Sequence, residues 1–557
     1  MTTSTDSNHP FIETLGLTSD EFTREQAFVT DGTLTVGRNA SLTLGTDSLI
    51  VLDEAFEKGT ATCCGLWPFG SSSANTRPIP FYNVLWAEIS DTNELAIRYA
   101  SPTSKKRVQP TELKYAVESH SKEEVEEWIA KLLDRSYGES QQGKRAKVLV
   151  NPHSGKGKAQ KYYDRDVEPL LKAARCSIDV VKTKFQGDAV TIVEDMDIEA
   201  YDMVVCCSGD GLAHEVFNGL GKRHDAKRAL SKIAVTHVPC GSGNAMSMNL
   251  SGTDSASVAT LAIIKGIPTP LDLISITQGE TRTISFLSQS VGIVAEADLA
   301  TENMRWMGST RFTYGFLERI IGQALYPCDI AVKVAIEDKP SIREHYRKEM
   351  SNHEPASERR GYKYLLDDDA SASSGMDDGL PPLRYGTVND KLPDGWEMVP
   401  YDKLGNFYCG NVSFDGSSCL HPIPRCPNGA RTLKCQHCSK SNADQKKMAY
   451  MASDASFFSA ALPNDGYMDL ICINGDISRL SAIKMMLSVE SGKLFDIPIV
   501  WYRKILGYRI IPKQKGDGYI SIDGERVPFQ PFQAEVHKGL GTVLSKTGHM
   551  YEWRGPV

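Results

Sequence analysis

Short alternating runs of apolar and polar residues open the patterned part of the chain. Thr33-Leu34-Thr35-Val36, Leu42-Thr43-Leu44 and Leu49-Ile50-Val51-Leu52 have the period of half-buried strands. Val84-Leu85-Trp86-Ala87-Glu88-Ile89 and Leu95-Ala96-Ile97-Arg98-Tyr99 repeat it. The period then lengthens. Val125, Trp128, Ile129, Leu132 and Leu133 fall on one helical face, and Ser121 with Glu124 forms a capping box ahead of them. From about residue 145 strands alternate with helices. Ala146–Val150, Ile178–Val181, Met203–Cys207 and Ile233–Val238 are compact apolar runs, with helices expected from about Tyr162 to Ala174 and from near Leu212. That order predicts a parallel sheet flanked by helices, its strands buried on both faces. From about residue 270 the pattern becomes β-rich: Leu271–Ile276, Thr283–Gln289, Ile330–Ile336, Phe407–Phe414, Tyr467–Ile473, Ile497–Ile511 and Tyr519–Ile522. One helix interrupts them, roughly Arg305 to Leu325, with an apolar face of Phe312, Phe316, Leu317, Ile320 and Ile321.

Length and composition bound this picture. A chain of 557 residues suggests about three domains at roughly 100–200 residues each. The expected organisation is a flexible polar tail at 1–28, a small β-domain closed by one helix at 29–138, an α/β domain at 145–270 and a β-rich domain at 271–557. Two stretches of the last, 337–400 and 415–447, read as disordered insertions. The net charge of −8 argues against a dedicated nucleic-acid binder. The N-terminus lacks the basic and apolar regions of a secretory signal, and no apolar run is long enough to span a bilayer. With 13 scattered cysteines, reduced thiols in the cytosol are expected. Cys435-x-x-Cys438, near Cys419, His421, Cys426 and His437, has zinc-ligand spacing, but the second pair is irregular and free thiols are favoured; no metal-ligand set is assigned. Cys63-Cys64 before Leu66-Trp67-Pro68-Phe69 would suit an acylated, interface-seeking loop, although idle thiols are the better-supported reading.

Three glycine-rich turns carry the chemistry, each after a predicted strand. Asn151-Pro152-His153-Ser154-Gly155-Lys156-Gly157-Lys158 can present backbone N–H groups to an anion, without the spacing of a Walker A loop. Ser208-Gly209-Asp210-Gly211 leaves a carboxylate at a strand's C-terminal end, where open α/β sheets bind ligands. Glu215 and Asn218 follow on the helix, placed either to point back at that site or to meet solvent. Pro239-Cys240-Gly241-Ser242-Gly243-Asn244 is the third turn. One such turn is weak evidence; three at one end of a parallel sheet point to a nucleotide or phosphate site.

In this order the motifs resemble the diacylglycerol kinase catalytic fold of lipid kinases, and most closely the sphingosine (sphingoid long-chain base) kinases. The resemblance covers roughly 145–335 and 400–557 and ends at Ile522-Asp523-Gly524-Glu525. It implies an α/β nucleotide-binding domain with a parallel sheet plus a β-sandwich lipid-binding domain. The small N-terminal β-domain with its Trp-bearing helix resembles a pleckstrin-homology-like domain, as in fungal or plant-type members; an unspecific β-domain is the alternative. The implied reaction is ATP-dependent phosphorylation of the primary hydroxyl of a sphingoid base, with Mg²⁺ carried mainly by phosphates and water.

The resemblance also implies roles. Asp210 is the general base. Asn151, Pro152, His153, Thr183, Lys184, Phe185, Gln186, Gly187, Ser208, Glu215, Gly241, Ser242, Gly243, Arg305, Arg311, Asp523, Gly524 and Glu525 match nucleotide-contacting positions. Ser208, Gly209, Asp210, Gly211, Ser288 and Asp298 match substrate-contacting ones. Ser208 stands where diacylglycerol and ceramide kinases usually have Gly, and Asp298 suits an ammonium headgroup that those lipids lack; a ceramide or diacylglycerol kinase is the runner-up, and a non-catalytic lipid sensor a more distant alternative. Glu296 replaces a frequent Asp. A peripheral membrane contact, at intracellular or plasma membranes, follows from the lipid substrate; a homodimer stays open.

Overall fold

A computed structural model describes residues 32–54, 75–301, 303–304, 310–351, 379–412, 457–490, 492–513, 518–552 and 555–556. The chain forms two compact units, one of Met1–Gly143 with Pro169–Cys176 and one of Lys144–Glu168 with Ser177–Val557. The expected tail at 1–28, the Cys63-Cys64 segment and the insertion at 415–447 lie outside the described residues.

The first unit holds two antiparallel sheets. One comprises β1 (Thr33–Val36), β2 (Ala40–Leu44), β3 (Ser48–Asp53) and β4 (Thr76–Pro80); the other β5 (Val84–Ile89), β6 (Glu94–Ser104) and β7 (Arg107–Ala116). Helix α1 (Lys122–Tyr137) follows. Its capping box is formed: Glu124 N–H donates to Ser121 Oγ at 3.2 Å, and Ser121 N–H to the Glu124 carboxylate at 2.9 Å. Val125, Trp128, Ile129, Leu132 and Leu133 are all buried, so the apolar stripe read from the sequence is the packed face.

The second unit begins with the parallel strands. These are β8 (Arg145–Val150), β9 (Ser177–Lys182), β10 (Met203–Ser208) and β11 (Ala234–Pro239), alternating with α2 (Asp188–Glu194) and α3 (Asp210–Lys222). Helices α4 (Ala245–Ser251) and α5 (Ala256–Ile264) follow. The pairs β8–β9, β8–β10 and β10–β11 are parallel. Leu212, Ala213, Val216, Phe217 and Leu220 on α3 share one buried cluster with Val204, Cys206 and Val235 of the sheet, which fixes the helix directly behind the strand ends.

The antiparallel part comprises β12 (Ile267–Gln278), β13 (Thr281–Ser285), β14 (Ser288–Gly292), α6 (Ile293–Leu299), α7 (Thr310–Gly322), β15 (Cys328–Ile336), α8 (Lys339–Ser351), β16 (Glu397–Tyr401), β17 (Leu404–Gly410), β18 (Met468–Asn474), α9 (Arg479–Glu490), β19 (Trp501–Pro512), β20 (Ile520–Ile522), β21 (Glu525–Val527) and β22 (Phe532–Ser545).

Four features differ from the sequence reading. The run Thr283–Gln289 is two strands, because the backbone at Phe286–Ser288 turns to bond Asp523 instead of a neighbour. The stretch 337–400 is not wholly disordered: α8 and β16 are built from it, α8 anchored by buried Ile342 and Tyr346. The helix expected from Arg305 is described from Thr310. Most consequential is β22, which the pattern did not reveal because Glu535, His537, Lys538, Gly539 and Gly541 interrupt its alternation. This strand pairs in parallel with β11 and antiparallel with β12 and β19. The expected boundary at 270/271 therefore does not separate two sheets. One mixed sheet runs β21-β20-β14-β17-β18-β19-β22-β11-β10-β8-β9, with β12, β13, β15 and β16 attached beside that path.

Candidate active site

Strands β8, β10 and β11 end level with one another, since Val150 pairs with Cys207 and Ser208 with Pro239. The three glycine turns therefore leave the sheet side by side. Their backbones approach closely. A Cβ on Gly155, whose φ is +58°, would lie 2.1 Å from the Cys240 carbonyl oxygen, and one on Gly241 would lie 2.4 Å from Gly209 Cα. Only glycine permits that approach. The turns open on a cleft of about 1030 Å³.

Asp210 is the first residue of α3, and its carboxylate reaches the third turn. Ala245 N–H donates to Oδ2 at 2.8 Å and Met246 N–H to Oδ1 at 3.0 Å. The carboxylate thus meets the unsatisfied donors at the start of α4. Each oxygen keeps one lone pair for other partners.

The rest of α3 radiates to four elements. Ala189 N–H of α2 donates to the Glu215 carboxylate at 3.2 Å. Burial raises the Glu215 pKa, opposed by backbone bonds from Gly187 and Ala189. Asn218 does not face the cleft: it brackets β13, donating to the Ile284 carbonyl at 2.8 Å and accepting from Ile284 N–H at 2.9 Å. His214 Nδ1 lies 2.8 Å from Asp523 Oδ2. Burial disfavours its imidazolium, yet the Asp523 carboxylate, then Glu525 and Glu215, leave its pKa raised.

Asp523 is the centre of a second cluster. Its side chain is fully buried and accepts from Ser285 Oγ at 2.6 Å and from the N–H groups of Phe286, Leu287 and Ser288 at 3.1, 2.9 and 3.0 Å. Its φ of +51° places the following Gly524, at +85°, in the same left-handed region. Asp523 thus pins the β13–β14 turn, while Gly524 and Glu525 form the wall of the cleft that it supports. Gln186 Nε2 bonds Glu525 at 3.2 Å.

Asp298 and Arg311, expected on headgroup and phosphate respectively, meet each other. Arg311 donates to Asp298 Oδ1 at 3.0 Å and to the Asp298 carbonyl at 2.8 Å. Asp298 Oδ2 points towards Gly524. Glu296 is held by Tyr326 and Arg319.

Among the expected residues, Asn151, His153, Thr183, Phe185, Gln186, Ser208, Gly209, Asp210, Gly211, Glu215, Gly241, Ser242, Gly243, Ser288, Asp298, Arg311, Asp523, Gly524 and Glu525 line the cleft. Pro152, Lys184 and Gly187 are not in its wall; Gly187 (φ +89°) precedes α2, and Lys184 N–H bonds Asp188 at 2.7 Å. Arg305 lies outside the described residues. Sequence reasoning missed Arg526, which lines the cleft with its guanidinium 4.6 Å above the Tyr519 ring. It also missed His237, buried under Asp210. A lone His within an apolar strand was the available signal for the second; Arg526 carried none. The cleft wall also carries the apolar side chains of Leu287, Val294, Leu299, Phe316 and Val412.

Residues 145–276 match the diacylglycerol kinase catalytic domain family, and residues 32–138 a domain of unknown function (DUF7493). The chain is 35% identical over 472 residues to Sphingoid long chain base kinase 5 of Saccharomyces cerevisiae, an alignment covering 77% of this chain and 63% of that protein. It is 30% identical over 468 residues to Sphingoid long chain base kinase 4 of Schizosaccharomyces pombe, covering 84% and 88%. Against Sphingosine kinase 1 of Arabidopsis thaliana it is 30% identical over 427 residues, covering 72% and 75%.

Proposed function

This chain belongs to the sphingoid long-chain base kinase family, and on that premise we propose that it transfers the γ-phosphate of ATP to the primary hydroxyl of a sphingoid base. The observation that carries this reading is the Asp210 carboxylate, held by two backbone N–H groups where three glycine turns meet.

In this reading the hydroxyl proton goes to Asp210 as the oxygen attacks phosphorus. General-base help of this kind is worth about 10²–10⁴ in rate. Backbone N–H groups of the turns at Asn151–Gly157 and Gly241–Gly243 cradle the phosphates. Phe185, which is 65% exposed at the cleft, offers a flat surface to the adenine, and Glu525 with Gln186 a polar edge. Arg526 supplies a cation for phosphate, a guanidinium being always charged and able to bond bidentately. Arg311 orients Asp298, whose carboxylate pairs with the substrate ammonium, and the apolar side chains of the cleft wall take the chain. Ser288 and Ser208 border the headgroup.

The carboxylates at the cleft, Asp210, Asp298 and Glu525, are hard oxygen donors that suit Mg²⁺. Among the described residues no group of three or more His, Cys, Asp or Glu side chains converges to hold a metal ion. The fit is to an ion carried by ATP phosphates and water, one that neutralises charge on the transferring group.

Peripheral contact with a membrane belongs to the same proposal. No helix among the described residues is long and apolar enough to cross a bilayer, while Tyr314 and Ile321 on α7 and Leu480 and Leu487 on α9 are exposed. We also read the first unit as pleckstrin-homology-like, and the antiparallel half of the sheet as a sandwich-type lipid domain.

A radiolabel transfer assay across sphingosine, dihydrosphingosine, phytosphingosine, ceramide and diacylglycerol, with wild type and Asp210→Asn, tests this. Phosphate transfer to the free bases only, lost by at least about 100-fold in the variant, is expected. Preferential transfer to ceramide or diacylglycerol overturns the substrate assignment, and undiminished turnover by Asp210→Asn overturns the base.

A further inference from the structure

His237 sits on β11 directly beneath the reacting carboxylate. Its side chain is fully buried. Nε2 lies 2.9 Å from the Ser208 carbonyl oxygen. A carbonyl only accepts, so Nε2 carries the hydrogen and, in the neutral ring, Nδ1 carries the lone pair. Nδ1 finds no hydrogen-bond partner among the described residues. It lies 3.6 Å from Asp210 Oδ1.

Two acceptors facing each other, one of them fully buried, are an arrangement with no benefit to the resting protein. It changes sign when a proton arrives. A protonated Asp210 has a hydrogen to give, and Nδ1 is the acceptor beside it. The lone-pair inventory agrees: each Asp210 oxygen already takes one backbone N–H, so one remaining position serves the cleft and one serves His237.

We propose that His237 is a positioning residue behind Asp210, receiving the proton that Asp210 takes from the acceptor hydroxyl. This rests on the kinase reading above. The step balances as follows. The O–H bond of the substrate hydroxyl breaks, and its oxygen bonds the γ-phosphorus. The bond from that phosphorus to the β,γ-bridging oxygen breaks, and its electron pair leaves on ADP. The proton passes to the Asp210 carboxylate and on to Nδ1, leaving an imidazolium facing a restored carboxylate. When the phosphorylated base leaves, the proton returns through Asp210 to the open cleft. The gap of 3.6 Å needs to close only to the roughly 2.7–3.2 Å of a hydrogen bond.

The surroundings isolate this pair. Among the elements packed on β11, α4 and α5 carry no charged residue, β10 brings the neutral thiols of Cys206 and Cys207, and α3 brings Asp210, with His214, Glu215 and Lys222 further along. Strand β22 meets β11 at Thr542 and Val543, away from its Glu535, His537 and Lys538.

The test compares wild type, His237→Gln and His237→Asn in steady-state kinetics. A glutamine amide keeps a donor for the Ser208 carbonyl but removes the nitrogen that faces Asp210. If His237 only supports the strand, the Gln variant has wild-type kcat. The proposal expects kcat lower by about 10-fold or more in both variants, with the KM values for ATP and sphingosine within about two-fold of wild type. A Gln variant with unchanged kcat overturns it. So does a Gln variant whose KM values for ATP and sphingosine rise in step with the fall in kcat. Asp210→Asn run alongside separates the two readings: if it retains turnover, the base assignment has failed; if it is inactive while His237→Gln behaves as wild type, only the relay has.

Discussion

Asp298 shows how a side chain's meaning depends on its neighbour. As a residue type it suits an ammonium group; in the fold it is first of all the partner of Arg311, 3.0 Å away and itself nearly buried. On the proposed function, losing its charge removes a charge-assisted bond to the substrate, worth about 1.5–3 kcal/mol. Asp298→Asn is therefore expected to raise the KM for sphingoid base by about 10-fold or more while leaving that for ATP within about two-fold. Parallel increases in both constants would mean that the carboxylate only organises the wall. Gly241 is the backbone counterpart. In Gly241→Ala the new methyl would overlap Gly209 Cα, which belongs to main chain and has no rotamer to escape into. A folded protein whose kcat/KM for ATP falls by about 10-fold or more is expected; unchanged nucleotide kinetics would remove the interlocked turns from the site. Both residues were visible in the sequence as candidates. What their side chains or hydrogens touch was not, because spacing along a chain does not report who meets whom across a cleft.

Helix α3 is the element that binds the site together. Its first turn holds α4 through Asp210, its second holds α2 through Glu215 and Asp523 through His214, and its third holds β13 through Asn218. The side chains reach different elements because successive helical residues turn by about 100°, and the apolar residues between them take the remaining face against the sheet. The His214–Asp523 link makes a pH prediction. The folded-state pKa of His214 is raised above its ordinary 6.5, so the folded protein holds the proton more tightly than the unfolded chain. The stabilisation is complete below about 6.5 and is lost as the pH rises through the folded value. The stability advantage of wild type over His214→Asn, read from urea denaturation, should be greatest near pH 5–6 and shrink on the alkaline side; a constant difference would show that the pair does not titrate. The sequence motif places Asp210, His214, Glu215 and Asn218 on one helix, but left Glu215 and Asn218 undecided between site and solvent. The structure keeps Glu215 in the cleft wall, where it also accepts from Ala189 N–H, and turns Asn218 to the backbone of β13.

At the scale of the whole molecule, the last strand ties the catalytic half to the rest of its unit. Strand β22 completes the parallel sheet against β11 and continues antiparallel against β12 and β19. A truncation ending at Pro531 is expected to expose both halves: amide exchange in β10 and β11 should rise together with that in β12 and β19, and ATP binding should be lost. Continued protection of β10 and β11 would show that the nucleotide half stands without it. This strand marks the limit of sequence reading here. The βαβ order, the three glycine turns and the capped helix at Lys122–Tyr137 were determined by the sequence alone, because periodicity, backbone freedom and local capping act over a few residues. The joining of β22 to β11, about 300 residues earlier in the chain, the burial of Asp523 under the β13–β14 turn, the pairing of Arg311 with Asp298 and the placement of His237 under Asp210 were decided by the tertiary structure. Each is a contact between segments distant in sequence, selected by the burial and hydrogen bonding of the folded chain as a whole, and no local pattern encodes it.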